Sequence, residues 1–272
     1  MHKQTQIRQV LDPDEATLSN LSIKQILNLI LGLQVLLFVV TIMLDLEYRW
    51  LRYFDATEIR TGPVEPGDQR RLFKPHEIEP DVFPPETKRQ VTLPEDMPKR
   101  LTFNVEKIPK IGKVIVIYGA IEDGDFNRFV EYYKSLKKPP KLIAFSSPGG
   151  SVMEALELGR FIRTQKANTV MLPGMYCFSA CPYMFGAGVK RTAFEESALG
   201  MHQHYYDESI ILPAFLAVED IQMGQGLTME YLIEMGIEPE LMLYSLNTPP
   251  DEIYVLVKKE LIDTKLATKF VN

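Results

Sequence analysis

Residues 144–206 read AFSSPGGSVMEALELGRFIRTQKANTVMLPGMYCFSACPYMFGAGVKRTAFEESALGMHQHYY, and we expect this stretch to decide the fold. It contains a Pro-Gly-Gly turn, a serine set between two cysteines, and two histidines. A serine that attacks needs a base for its proton, usually a histidine, and backbone N–H groups for the oxygen that becomes negative. Glycines let the backbone approach that oxygen closely. Ser179, followed by His202 and His204, therefore indicates a serine-nucleophile site.

Short apolar runs alternate with helical patterns through residues 101–272, which we expect to form the globular domain. Strands are predicted at 113–121, 141–146, 169–172 and 199–205, and helices at 126–136, after Ser151 and after Ser179. Strand–helix alternation of this kind favours an α/β fold with a mainly parallel sheet and crossover helices.

The most apolar segment of the chain lies near its N-terminus, after a polar tail at residues 1–24. Residues 26–44 carry no formal charge and are long enough, at about 1.5 Å per residue, to cross most of a bilayer core. We predict a membrane anchor over 25–44; a buried core helix is the alternative, and no cleavage site for a signal peptide follows. Lys24 before the span and the acidic residues after it favour a cytoplasmic N-terminus and an outer C-terminal domain.

Residues 45–100 are polar and rich in proline, which predicts a tether or a loosely ordered arm. The net charge of −6 and the lack of a basic run with aromatics argue against a nucleic-acid surface. Two cysteines are too few for a disulfide-rich scaffold or a four-cysteine zinc site. His202 and His204 near Asp207 and Glu208 lack a clear third ligand, so we expect no metal and no cofactor.

Three motifs, SSPGGS, YCFSAC and GMHQH, resemble in their order and spacing the ClpP/crotonase superfamily over residues 110–265. More narrowly, they resemble the membrane-anchored bacterial ClpP-like proteins with a C-x-S-A-C motif. The resemblance implies Ser179 as the nucleophile and His202 as the general base. It further implies an oxyanion hole formed by Gly149 and Gly150 with the N–H of Ala180, and a homo-oligomer, trimeric or hexameric.

Two positions of the site stay open. His204 lies on the same strand face as His202 if the strand runs through both, so it is an alternative base. The resemblance places the acidic third member near Ile253; Asp251 or Asn247 are the candidate orienters, and a bare serine–histidine pair is the remaining option.

Cys177 and Cys181 flank the serine and could form a disulfide if the turn brings their Cα atoms within about 4.4–6.8 Å. Otherwise they are two small buried residues beside the site. The leading interpretation is a bacterial inner-membrane, single-pass serine hydrolase, a peptidase with a periplasmic domain that acts on peptides or proteins. The alternatives are a catalytically weak binding or scaffold protein and a crotonase-type acyl-CoA enzyme.

Overall fold

The computed structural model describes residues 22–55, 69–75, 97–204 and 214–272. The chain divides after Asp55 into two compact units. The described part of the first unit is one helix, α1, over Ile23–Asp55.

Helix α1 contains the apolar segment that the sequence analysis singled out. Its portion from Ile23 to Met43 is 21 residues long, with none of it buried, and at about 1.5 Å per residue it is about 30 Å long. By length and composition it is able to cross a membrane, although a signal sequence near the N-terminus has the same properties.

The second unit contains two sheets and six helices among its described residues. The strands are β1 Arg70–Leu72, β2 Thr102–Ile108, β3 Gly112–Tyr118, β4 Leu142–Ser146, β5 Asn168–Met171, β6 Tyr176–Phe178, β7 Arg191–Phe194, β8 Ala198–Met201, β9 Glu252–Val255 and β10 Lys269–Val271. The helices are α2 Asp125–Ser135, α3 Val152–Thr164, α4 Cys181–Gly186, α5 Ala214–Glu234, α6 Leu241–Leu246 and α7 Lys258–Asp263.

The larger sheet has the order β10-β7-β5-β4-β3-β2, and only β2 pairs antiparallel. Helix α2 joins β3 to β4, and helix α3 joins β4 to β5. The last five residues of β3 are fully buried, as expected of a strand covered on both faces, and Phe129 and Tyr133 of α2 pack into the same core. The predicted α/β class is confirmed.

The smaller sheet, of order β1-β9-β8-β6, carries the candidate site. Its edge strand β1 lies within the segment predicted to be a tether and pairs antiparallel with β9. Residues 70–72 therefore belong to the same sheet as residues from the domain that we predicted to begin at residue 101. Proline-rich flanks gave no local signal for this strand, because its partner lies 180 residues later, as the pairing of Leu72 with Glu252 shows.

Strand β8 is shorter than predicted and ends at Met201. The next backbone groups leave the sheet because the N–H of Gln203 donates to the carbonyl of Thr248, in the loop after α6, at 2.9 Å. His202 and His204 thus follow the strand and do not share one strand face.

Candidate active site

Ser179 lies at a sharp turn between β6 and α4. Its φ of 58° is in the left-handed region, which is rare for a residue with a side chain and is often found at functional sites. The turn is held on one side by a hydrogen bond from the Ser179 N–H to the carbonyl of Gly200 in β8, at 3.0 Å. A turn of this kind projects a nucleophile away from the sheet that carries it.

A disulfide spans this turn. Cys177 and Cys181 are bonded, their Cα atoms are 5.1 Å apart, and both residues are completely buried. The bond closes a loop of five residues with Ser179 at its centre. It therefore ties the end of β6 to the start of α4 and restricts the backbone on both sides of the serine.

His202 contacts Ser179 directly. Its Nε2 lies 2.7 Å from the serine Oγ, and the ring is almost completely buried. The pKa of His202 is lowered to about 4, mainly by burial and also by the charge of His204, while the Pro250 carbonyl and the Asp251 carboxylate act in the opposite direction. At neutral pH the imidazole is uncharged, and in the tautomer with the ring proton on Nδ1 its Nε2 accepts a hydrogen bond from the serine hydroxyl.

The other nitrogen of His202 lacks the acidic partner found in a triad. Nδ1 is buried and forms no hydrogen bond within the part of the chain that the structure describes. The Pro250 carbonyl raises the pKa of the ring as an acceptor does, yet no bond of ordinary geometry to Nδ1 forms. Asp251 is exposed in the turn before β9 and acts on His202 through its charge alone.

Asn247, the other candidate orienter, is exposed at the end of α6. Its side-chain amide donates to the carbonyl of Leu243 at 2.8 Å, and the structure gives it no hydrogen bond to His202. The described residues therefore bring together a serine–histidine pair without a third side chain.

The three predicted oxyanion-hole residues have different surroundings. The N–H of Gly149 donates to the Oγ of Ser147 at 3.1 Å, so it is not available to a substrate. The N–H groups of Gly150 and Ala180 donate to no acceptor among the described residues, which leaves both free to bind a negative oxygen.

Gly149 brings the two parts of the site into close contact. A Cβ added at Gly149 would lie 2.5 Å from the Cβ of Ser179 and 3.0 Å from the N of Ala180, and its φ of 99° disfavours any side chain. Only glycine at position 149 allows the Pro-Gly-Gly turn to pack this closely against the turn at Ser179.

His204, the alternative base, has a different partner. Its Nε2 lies 2.9 Å from the hydroxyl of Tyr183 in α4, and burial lowers its pKa. The hydroxyl of Ser179 instead contacts His202. His204, two residues further along the chain, therefore forms a separate polar contact with α4.

Phe73 is a site residue that sequence reasoning missed. Its ring centroid lies 4.9 Å from that of His202, in an edge-to-face arrangement, and 6.2 Å from the ring of Phe178. No local pattern indicated this role, because Phe73 follows a three-residue strand within the proline-rich segment.

A metal site has no support in the described part of the chain, where no group of three or more His, Cys, Asp or Glu side chains could hold an ion. Asp207 and Glu208, which the sequence analysis considered as ligands, lie outside the described residues.

Comparison with known proteins gives a structural neighbour but no sequence relative. No protein-family model matches the chain, and no curated protein matches it. The chain is similar in structure to a point mutant of ClpP1 from Listeria monocytogenes, with 18% sequence identity and a TM-score of 0.45, over 58% of this chain and 91% of that one. A likeness of this degree carries no argument about activity, so the function must be inferred from the site itself.

Proposed function

We propose that this chain is a membrane-anchored serine hydrolase, a peptidase with a ClpP/crotonase-type domain. The observation that carries the proposal is the 2.7 Å contact between the Oγ of Ser179 and the Nε2 of a buried, neutral His202. It is supported by the strained conformation of Ser179 and by the two free N–H groups of Gly150 and Ala180.

In the proposed reaction, the Oγ of Ser179 attacks the carbonyl carbon of a peptide bond while its proton passes to the Nε2 of His202. The electron pair of the C=O bond moves to the oxygen, which binds the N–H groups of Gly150 and Ala180. His202 then donates its proton to the leaving amine, and an acyl-serine remains. A water molecule repeats the same sequence and releases the acid, which restores both residues.

The neutral histidine is suited to the first step. At neutral pH essentially all of the His202 side chain is in the form that accepts a proton. The free-energy cost arises once the proton has passed from Ser179 to His202, because a cationic ring in a buried position without an acidic partner is poorly stabilised. We therefore expect slower turnover than in enzymes whose histidine is paired with a carboxylate.

The cellular setting belongs to the same proposal. Residues 26–44 anchor the chain in the bacterial inner membrane, and residues 56–272 face the periplasm. The Cys177–Cys181 bond supports an oxidising compartment, since such bonds persist there and are rare in the cytosol. We further propose that the domain assembles as a homo-oligomer, a trimer or a hexamer, and acts on peptides or proteins.

A fluorophosphonate probe tests the proposal, because it reacts with serines activated by a histidine and requires no known substrate. We expect wild type to be labelled and Ser179→Ala not to be. His202→Ala should label at least about a hundredfold more slowly, since removing the base of such a pair costs several powers of ten.

The matched control is His204→Ala, at a partly buried histidine two residues away that contacts Tyr183 instead of the serine. We expect it to retain labelling within a few fold of wild type, with circular dichroism to verify folding. Equal labelling of wild type and the His202 variant would contradict the hydrolase proposal.

One observation favours a second candidate, a catalytically weak binding or scaffold protein. The Nδ1 of His202 is buried without a hydrogen-bond partner among the described residues, and the charged form of the ring is therefore disfavoured. This candidate predicts that a correctly folded wild type remains unlabelled even after prolonged exposure to the probe.

A further inference from the structure

Backbone hydrogen bonds before and after β1 hold Phe73 next to the candidate site. The N–H of Phe73 donates to the carbonyl of Asp251 at 2.9 Å, and the N–H of Val255 donates to the carbonyl of Gln69 at 2.8 Å. Both are bonds to residues flanking or ending β9. The segment is therefore fixed along the strand that pairs with β8, and His202 directly follows β8.

The Phe73 side chain packs into a small apolar cluster that is separate from the main core. Its other members are Tyr176, Phe178, Ala198, Ile253 and Val255, and Phe73 itself is only 7% exposed. Tyr176 and Phe178 belong to β6, which leads into the nucleophile turn. The cluster thus connects the strand before Ser179, the strand pair beside His202 and the N-terminal segment.

We propose that Phe73 is a positioning residue of His202, so that contact with an apolar ring, and not a hydrogen bond to an acidic side chain, holds the imidazole in its orientation. This inference rests on the proposed function for its catalytic meaning. Its physical basis is the 4.9 Å edge-to-face contact between the two rings and the burial of both residues.

Two effects on His202 follow from this contact. First, the phenyl ring limits rotation of the imidazole, which has no hydrogen bond at Nδ1, among the described residues, to define its orientation. Second, it excludes water from the imidazole, and exclusion of water disfavours the cationic form. The charged or titratable groups that act on the ring are Asp251 and His204, with opposite signs, and burial outweighs both.

The proposal predicts separate consequences for orientation and for burial. At pH of about 8 the imidazole is neutral with or without Phe73, so a loss of probe labelling there reports a loss of orientation. Between pH of about 4 and 6.5 the neutral fraction depends on burial, so the acid limb of the labelling profile reports the second effect.

The experiment compares full-length wild type with Phe73→Ala in detergent, using the fluorophosphonate probe from pH of about 4 to 8. The control is Leu72→Ala, at the end of β1 and next to Phe73 in the chain, with a side chain that is partly exposed whereas that of Phe73 is buried. Labelling with ¹³C at histidine Cε1 gives an independent readout, because the chain has only four histidines and His202→Gln identifies the relevant signal.

In Phe73→Ala we expect the pKa of His202 to rise from about 4 towards the ordinary value of about 6.5. Labelling at pH 5.5 should then fall about tenfold relative to the same variant at pH 8, whereas wild type should lose almost nothing. Leu72→Ala should behave as wild type in both measurements. If Phe73→Ala fails to fold, Phe73→Thr retains strand propensity and should show the same shift.

A folded Phe73 variant whose His202 titration and labelling profile match wild type overturns the inference. The two readouts also separate it from the proposed function. An unlabelled wild type whose His202 signal nevertheless shifts in the variant refutes the hydrolase and keeps the ring contact. A labelled wild type whose His202 signal is unchanged in the Phe73 variant keeps the hydrolase proposal and refutes the role of the ring contact.

Discussion

Because His202 is buried, its protonation should lower the free energy of unfolding of the domain at acid pH. The substitution His202→Gln should remove this contribution. The folded-state pKa is about 4, whereas the exposed histidine of an unfolded chain titrates at about 6.5. Between these values the unfolded state binds more protons than the folded state, so acid favours unfolding. The stability contributed by the neutral ring is complete above pH of about 6.5 and is lost as the pH falls through about 4.

The magnitude follows from the shift. A difference of this size in pKa corresponds to a loss of about 2 kcal/mol by pH 5 and about 3 kcal/mol by pH 4 for this one side chain. In His202→Gln the side chain cannot take up a proton. We therefore expect the difference in unfolding free energy between wild type and His202→Gln to decrease by about 3 kcal/mol from pH 7.5 to pH 4.

The assay is urea unfolding at several pH values, followed by the near-ultraviolet circular dichroism of the tyrosines, of which the chain has 12. Carboxylates titrate in the same range, but their contribution is common to both proteins and cancels in the difference. Since burial also lowers the pKa of His204, the variant His204→Gln is measured in parallel. Parallel pH curves for wild type and His202→Gln would refute the reasoning, because His202 would then have the same pKa in the folded and the unfolded state.

Three further outcomes are expected. Gly149→Ala should slow probe labelling about a hundredfold, because its Cβ would lie 2.5 Å from the Cβ of Ser179 and a displacement of about 1 Å in an active site costs that much. Gly112→Ala, also at positive φ but with nothing within 4 Å of the added Cβ, should label normally. Replacing both cysteines by alanine should slow labelling about tenfold, since the left-handed serine costs of order 1–2 kcal/mol, and dithiothreitol should slow wild type equally without affecting the variant. Residues 101–272 alone should unfold about 2 kcal/mol more easily than residues 56–272, because they lack the buried ring of Phe73; equal stability would show that β1 does not contribute.

Local patterns were sufficient for β3, β4 and β5 of the larger sheet and for the helices α2 and α3 between them, whereas β2, β7 and β10 were not predicted. Strand β4 and helix α3 surround a Pro-Gly-Gly turn, and each has a periodicity or apolar run that indicates its type. The apolar helix near the N-terminus was equally clear from composition. In each case the information lies within some ten to twenty neighbouring residues, and the structure agrees with the interpretation.

The parts that could not be predicted depend on distant contacts. The end of β8 is set by a hydrogen bond from Gln203 to Thr248, and the position of Phe73 is set by pairing with β9. Neither has a local signal. The hydrogen bond from Gln203 to Thr248 gives His202 and His204 separate environments, so these could not be predicted without it. The pairing of β1 with β9 brings Phe73 to the imidazole, so this contact could not be predicted either.

The pairing of β1 with β9 has a consequence for biosynthesis. A ribosome releases residues 70–72 long before residues 252–254, their partners in the sheet. During that interval Phe73 has no strand to dock on, and the ring of His202 lacks its cover. Closing so long a loop is among the slower events of folding, because the entropy must be lost before the contact forms. The histidine environment is therefore completed only once nearly the whole domain has been synthesised.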